Sequence, residues 1–362
     1  MIIRKRAGET MVALHDYTGV IHFHSEYSYD GRAPLREILK AARQNGIDFL
    51  MLTDHSCLTA KENGMEGWHD NVLLIVGQEI APRFNHYLAF GLDRPIKVDE
   101  NREVIPQNII DTVNKHGGIG FIAHPDHEGT EVFHVKHFPW IDWNVVNYAG
   151  MGIWDFMTDW QSSLINYPAA LMSYFFPAFF LRGPRKITLD RWDSLNRQLK
   201  IVGIGELDNH DTPRKVLFLT LSVFPFKRAF RFVRTHIVSE EPFSGSADRD
   251  VSIVLNALKL GRAYVAMEYF QRASGFRFHL SDGDNVATMG DSFTLKKRAV
   301  ASIRVPVSSR IRLIKDGFAC WEGEAVQVRI PVETVGVYRI EVFLKAWGKY
   351  RPWIFSNPIY VQ

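Results

Sequence analysis

His22 and His24 stand at i and i+2, directly after the apolar run 19–21. Side chains alternate along a strand, so both imidazoles are expected on one face at a strand end, as a metal ion needs. Two ordinary histidines on a half-buried strand would give the same pair, and an isolated H-x-H does not separate the two readings. Other hard ligands follow the same rule of position. The run 48–53 ends at Asp54-His55, and 72–76 ends at Gly77-Gln78-Glu79. His86 opens the run 86–92, 118–123 ends at His124-Pro125, and 201–205 ends at Glu206, with Asp208 and His210 just beyond. Core histidines have no reason to recur at the ends of apolar runs.

The elements that must position these groups are legible as well. Apolar runs of this length, bounded by turn residues, read as buried parallel strands. Between them, Leu35, Ile38, Leu39 and Ala42 keep helical spacing after Pro34, and Gly46 stops that helix. Ile109, Ile110 and Val113 repeat the pattern, and Thr188 is expected to cap a helix carrying Leu189, Trp192, Leu195 and Leu199. Alternating strands and helices imply a parallel α/β fold, whose ligand site lies at the carboxyl ends of its strands.

In order along residues 19–240, these motifs resemble the PHP (polymerase and histidinol phosphatase) metallohydrolase superfamily. His22-Phe23-His24 resembles its first motif, Asp30-Gly31 the acidic turn and Thr53-Asp54-His55 the second motif. Glu79 resembles the bridging carboxylate, His86 the histidine opening the next strand, His124-Pro125 the H-P motif and Asp208-Asn209-His210 the closing D-x-H. The resemblance implies His22, His24, Asp30, His55, Glu79, His86, His124, Asp208 and His210 as metal ligands, normally for three ions, on a distorted (β/α)7 barrel. Glu206-Leu207 departs from the small residues commoner before the closing Asp, which puts the pocket shape in question. The tail from Arg351, with Arg234-Thr235-His236 and the stretch around Tyr264, resembles a bacterial PHP branch that includes carbaryl-hydrolase-like enzymes.

Six imidazoles and three carboxylates suit Zn, Mn or Fe rather than Mg or Ca. Three divalent ions against three carboxylates leave surplus positive charge, which favours an anionic small-molecule ester, and a metal-bound hydroxide is the expected nucleophile. The first reading is therefore a metal-dependent phosphoesterase in which Glu79 bridges two ions and His55 or His210 relays a proton. Asp54 is expected to orient a ligand. The second reading, from the tail and an aromatic insertion, is a carbamate or carboxylic ester hydrolase. The third is a non-catalytic metal-stabilised binding module, which so complete a ligand set argues against. Arg83 and Arg214 could clamp a phosphate, or could be solvated loop arginines.

At 362 residues and 46% apolar, the chain can bury a large core. Two domains are expected: the barrel over 1–270, with an aromatic insertion at about 150–186, and an antiparallel β-sandwich over 275–362 built from short alternating strands. The net charge of +3 is too small to argue for nucleic acid. Cys57 and Cys320 cannot build a disulfide framework, and no apolar leader follows the basic amino terminus, so a cytoplasmic location is expected. Residues 164–181 carry no charge but contain Pro168 and Pro177, so a buried or lid-forming insertion is favoured over a membrane contact, and no stable membrane insertion is expected. The same surface could serve a homo-oligomer. Trp154, Phe156, Trp160, Tyr167, Tyr174, Phe175 and Phe176 would then wall the pocket, suiting an aryl leaving group, or simply fill the core.

Overall fold

The computed structural model describes residues 2–4, 12–216 and 219–362, with side chains described for 14–213 and 222–362. Seven strands close into a barrel: β1 (Val12–Phe23), β2 (Phe49–Leu52), β3 (Val72–Ile80), β4 (Tyr87–Phe90), β5 (Ile119–Ile122), β6 (Gly150–Asp155) and β7 (Val202–Asn209). β1 pairs in parallel with β2 and β7, β2 with β3, β5 with β6, and β6 with β7. β4 breaks the expected all-parallel order, running antiparallel to both β3 and β5. The connection from β3 to β4 is too short for a parallel crossover, so the chain doubles back.

The strands read as unbroken apolar runs because both faces are buried. Ile21, Phe49, Met51, Leu73, Ile75, Leu88, Phe121 and Ile204 fill one core, while their alternates Val20, Leu50, Leu52, Leu74 and Val76 join a second under the surrounding helices. Leu35–Asn45 forms as its spacing predicts, ending on Gly46 in the left-handed conformation, and Pro106–Lys115 starts on its proline. The helix containing Thr188 runs Lys186–Asn196 instead. Thr188 lies inside it and donates to Asp126 Oδ2 at 2.6 Å, so a distant carboxylate takes the hydroxyl expected to cap the helix.

The insertion begins only after Asp155, since Gly150–Asp155 is a barrel strand. It contains the short helices Tyr167–Phe175 and Pro177–Phe180. Trp154, Phe156 and Trp160 are buried in the barrel's outer core, whereas Tyr167, Phe175 and Phe176 are exposed. The expected aromatic wall is thus divided between core and surface. No helix among the described residues is long and apolar enough to cross a membrane.

Beyond the barrel, the runs 301–305 and 311–314 belong to one strand, Ala299–Lys315, forming a long hairpin with Phe318–Val332. A pairing irregularity between Arg304 and Ser309 divides it, so one half pairs with Arg277–Ser281 and the other with Gly336–Ala346. β1 extends past the barrel to pair with β8 (Val233–Ser239), β8 pairs with β9 (Ala263–Met267), and β9 with β10 (Lys349–Ser356). Strand pairing therefore runs continuously from barrel to carboxyl-terminal sheet. A third core, joining Leu14, Val238 and Tyr264 to Phe278, Ile340 and Trp353, fills the junction.

Candidate metal centre

The bulge that places the first two histidines is visible in the distribution of β1 between the cores. Val20 and Phe23 face the outer core and Ile21 the inner one, so regular alternation would send His22 outward. Instead His22 adopts φ 67°, the β1–β7 register shifts between Ile21 and Phe23, and the imidazole turns over the barrel mouth. His24 lies beyond the strand end, its N–H donating to the Asn209 carbonyl at 3.0 Å. The two rings still converge, with centroids 5.4 Å apart, but through a bulge rather than strand alternation. Asp208 at φ 51° and His124 at φ 25° also hold uncommon backbone conformations, and such strain concentrates at functional sites.

All nine predicted ligands meet at this mouth in three groups that share residues. His24, Asp30, His55 and His210 form one, His22, His24, Glu79 and Asp208 another, and Glu79, His86 and His124 the third. Glu79 joins two of them. Its Oε1 lies 2.7 Å from His86 Nδ1 and 3.2 Å from His124 Nε2, and its Oε2 lies 3.1 Å from His22 Nε2 and 3.3 Å from His24 Nε2. Asp30 Oδ2 lies 3.2 Å from His55 Nε2 and 3.1 Å from His210 Nε2. Burial alone would raise the Glu79 pKa, but the imidazoles, His22 foremost, hold it well below the carboxylate range. Burial opposes charge on His55 and His124, yet Glu79 raises both to about 9. On His86 burial wins and lowers the pKa.

The cluster is not saturated. His24 Nε2 lies 3.3 Å from Glu79 Oε2 yet makes no hydrogen bond, while the unpaired Nδ1 atoms of His24, His55 and His124 belong to rings whose Nε2 faces the carboxylates. In each group the ligand atoms lie within 4.8 Å of one another, and divalent cations would satisfy nitrogen-rich groups of this geometry. The residues present therefore fit the cations the sequence implies.

Supporting contacts extend beyond the predicted set. Glu206 is fully buried, accepting from His22 Nδ1 at 3.0 Å and from the His124 backbone N–H at 2.8 Å. A Cβ on Gly152 would overlap its carboxylate, so that glycine in β6 makes room for it. In the sequence Glu206 stands out only as a departure from the small residues commoner before the closing Asp. Asp155, at the end of β6, was missed, although it obeys the same rule of a polar residue closing an apolar run. Burial, then Asp208 and Glu206, push its pKa up to about 8, and it caps the next helix through Thr158 N–H at 2.6 Å. Tyr29 stacks on His55 at 5.0 Å and is 60% exposed, forming part of the rim. His127, with its ring 5.4 Å from that of His124, is bonded to Gln161 and to the Phe138 N–H, and burial lowers its pKa to about 4.

Asp54 touches Ser25 rather than a ligand imidazole, accepting from its N–H at 2.6 Å and its hydroxyl at 2.7 Å, and so pins the loop after His24. Arg83 donates to the His137 carbonyl at 3.1 Å, with its guanidinium 4.2 Å from the centre of the Phe84 ring. The side chain of Arg214 lies outside the described residues.

Residues 21–122 match the family model of the PHP domain, a span that holds six of the nine clustered residues and stops just before His124. An uncharacterized protein of Methanocaldococcus jannaschii is 24% identical over 150 residues, covering 32% of this chain and 81% of that protein. A two-domain protein from Bacteroides vulgatus, containing a predicted PHP-like metal-dependent phosphoesterase, aligns over 98% of both chains at 15% identity with a TM-score of 0.40. Endonuclease Q, solved with a 27-mer duplex substrate bearing an abasic lesion, aligns over 66% of this chain and 57% of its own at 11% identity with a TM-score of 0.39.

Proposed function

We propose that this chain is a metal-dependent phosphoesterase acting on a small anionic ester at a site for three divalent ions. The observation that carries this reading is the convergence of nine ligands in three groups joined through Glu79 and His24. Such ions, when bound, polarise a phosphoryl oxygen and acidify a water molecule. Zn, Mn or Fe are the cations this donor set suits.

The chain's own groups have separable tasks. Glu79 directs one oxygen towards His86 and His124 and the other towards His22 and His24, so it would bridge two ions and fix their spacing. Glu206 locks the His22 ring by holding its far nitrogen. Asp30 and His210 are the more exposed members of the cluster and would hold an ion at its open side. Cation binding would displace the protons that His22, His55 and His124 hold against Glu79, Asp30 and Asp208.

The tail resemblance to carbaryl-hydrolase-like enzymes supports carbamate hydrolysis as a second reading, but the divided aromatic wall removes its other support. Metal-loaded and chelated protein should be assayed side by side on a chromogenic phosphate ester and an aryl carbamate. Chelator-sensitive turnover of the phosphate ester is expected. Preference for the carbamate would replace the first reading with the second, and turnover of neither by metal-loaded protein would leave the binding-module reading.

A further inference from the structure

The helix Tyr167–Phe175 is inside out. Its one buried residue is Ser173, while Leu171, Met172 and Phe175 are each at least half exposed. The apolar face continues through Phe176 into Phe179, which is 49% exposed and stacks at 3.8 Å on Trp347, itself 52% exposed in the turn before Lys349. A surface this apolar and contiguous marks an interaction site.

Three of the segments that meet there share a charge bias, while the loop that packs Phe133 against Tyr167 adds the single exposed Glu131. No Asp or Glu occurs between Asp159 and Asp190, between Asp211 and Glu240, or after Glu341. Those stretches hold twelve of the chain's 43 Lys and Arg and none of its 40 Asp and Glu, although Arg234 is buried against Glu268, and Arg185 and Lys186 pair with Glu128 and Asp190. They are tied to the patch by direct contacts. Arg228 donates to the carbonyls of Tyr174 and Phe175, and Arg351 donates to the Ala178 carbonyl at 3.0 Å while lying 5.3 Å from the Trp347 ring centre. Arg182, Lys227, Lys345 and Lys349 are exposed on the same segments. An apolar face rimmed by cations complements a bilayer with anionic headgroups, into which aromatic and aliphatic side chains dip while Lys and Arg meet phosphates.

We infer that this face is a peripheral docking surface for anionic membranes. It adjoins the metal centre: the Tyr174 ring contacts Phe224, whose carbonyl accepts from Asn209, the residue between Asp208 and His210. A docked molecule would therefore hold the barrel mouth close to the lipid surface. The inference rests on the patch and its charges and does not depend on the reaction.

The test is flotation of the full-length protein with vesicles of phosphatidylcholine alone or with 30% phosphatidylglycerol. Binding to the anionic vesicles should exceed binding to the neutral ones at least tenfold and weaken in high salt. The exposed double substitutions Leu171→Ser with Phe175→Ser, and Lys345→Glu with Lys349→Glu, should each reduce it at least tenfold without changing the melting temperature. Absence of vesicle binding, or binding that neither variant alters, would overturn the inference. So would sedimentation showing a dimer that the Leu171→Ser, Phe175→Ser variant dissociates, because the face would then be covered by a second copy of the chain.

Discussion

His22 and His236 are both fully buried imidazoles held between two carboxylates, and they mark two different kinds of buried charge cluster. His236 donates from Nδ1 to Asp16 and from Nε2 to Glu268, each at 3.0 Å. Around it Asp16 also takes Tyr264, the Gly275 N–H and Arg277, and Glu268 takes Arg234 and the Ala273 N–H. Every one of these ionised groups has a protein partner, and the network ties β1 and β8 to β9 and the start of the carboxyl-terminal sheet. The cluster around Glu79 instead gathers six imidazoles around three carboxylates, and His24 Nε2 faces Glu79 without a hydrogen bond. Burial and charge alone do not distinguish a structural ion network from a metal centre; a surplus of converging nitrogen ligands does.

The largest expected effect breaks one cluster and spares the other. Glu79→Ala should reduce phosphoester turnover on the order of a thousandfold, with bound metal lost as measured by elemental analysis. Its mirror is Glu268→Ala, which strands buried Arg234 and His236 and should cost about 3–5 kcal/mol in denaturant unfolding while leaving metal content unchanged.

Proton linkage sharpens the contrast at the saturated cluster. Burial disfavours His236 charge, but hydrogen bonds to Asp16 and Glu268 raise its pKa from 6.5 to about 9. Burial would likewise raise Glu268, yet His236 and Arg234 lower its pKa from 4.5 to about 2. A raised histidine contributes its full stability below pH 6.5 and loses it as pH climbs through 9; a lowered carboxylate contributes fully above 4.5 and loses it as pH falls through 2. Asp16, also lowered, follows the carboxylate sense. The cluster is therefore intact between pH 4.5 and 6.5, and its contribution to unfolding free energy should decline by roughly 3 kcal/mol between pH 6 and 9.5. The difference in unfolding free energy between wild type and Glu268→Ala across that range tests this, since His55 and His124, raised to about 9, titrate in both and cancel.

A smaller effect is expected at the support beneath the metal centre. Glu206→Gln should weaken metal affinity about ten- to a hundredfold by disturbing the His22 and His124 contacts, measurable by competition with a chromogenic chelator. Gly152→Ala should shift affinity in the same direction, because its Cβ would displace the same carboxylate.

What the sequence made legible follows from these contrasts. Eight of the nine clustered residues were readable because they sit at or near an end of an apolar run, whereas Asp30 lies in a polar turn and was legible only through the family resemblance. Strand direction was not, since a buried β4 is apolar whichever way it runs, and the bulge at His22 has no residue signature. The outward face of the insertion was not legible because its residues are as apolar as a core; only the surrounding structure reveals that Ser173 faces in and Phe175 out. Arg234, His236 and Tyr264, which contribute to the tail-branch resemblance, have a sufficient physical role in the saturated network.

Elemental analysis of purified protein after dialysis against trace divalent metals tests the central distinction most directly. Three tightly held ions per chain are expected in the wild type and in Glu268→Ala, with at least two of them lost in Glu79→Ala, since Glu79 belongs to two of the three groups. A wild-type chain holding no stoichiometric metal, or metal content that Glu79→Ala leaves unchanged, would contradict this.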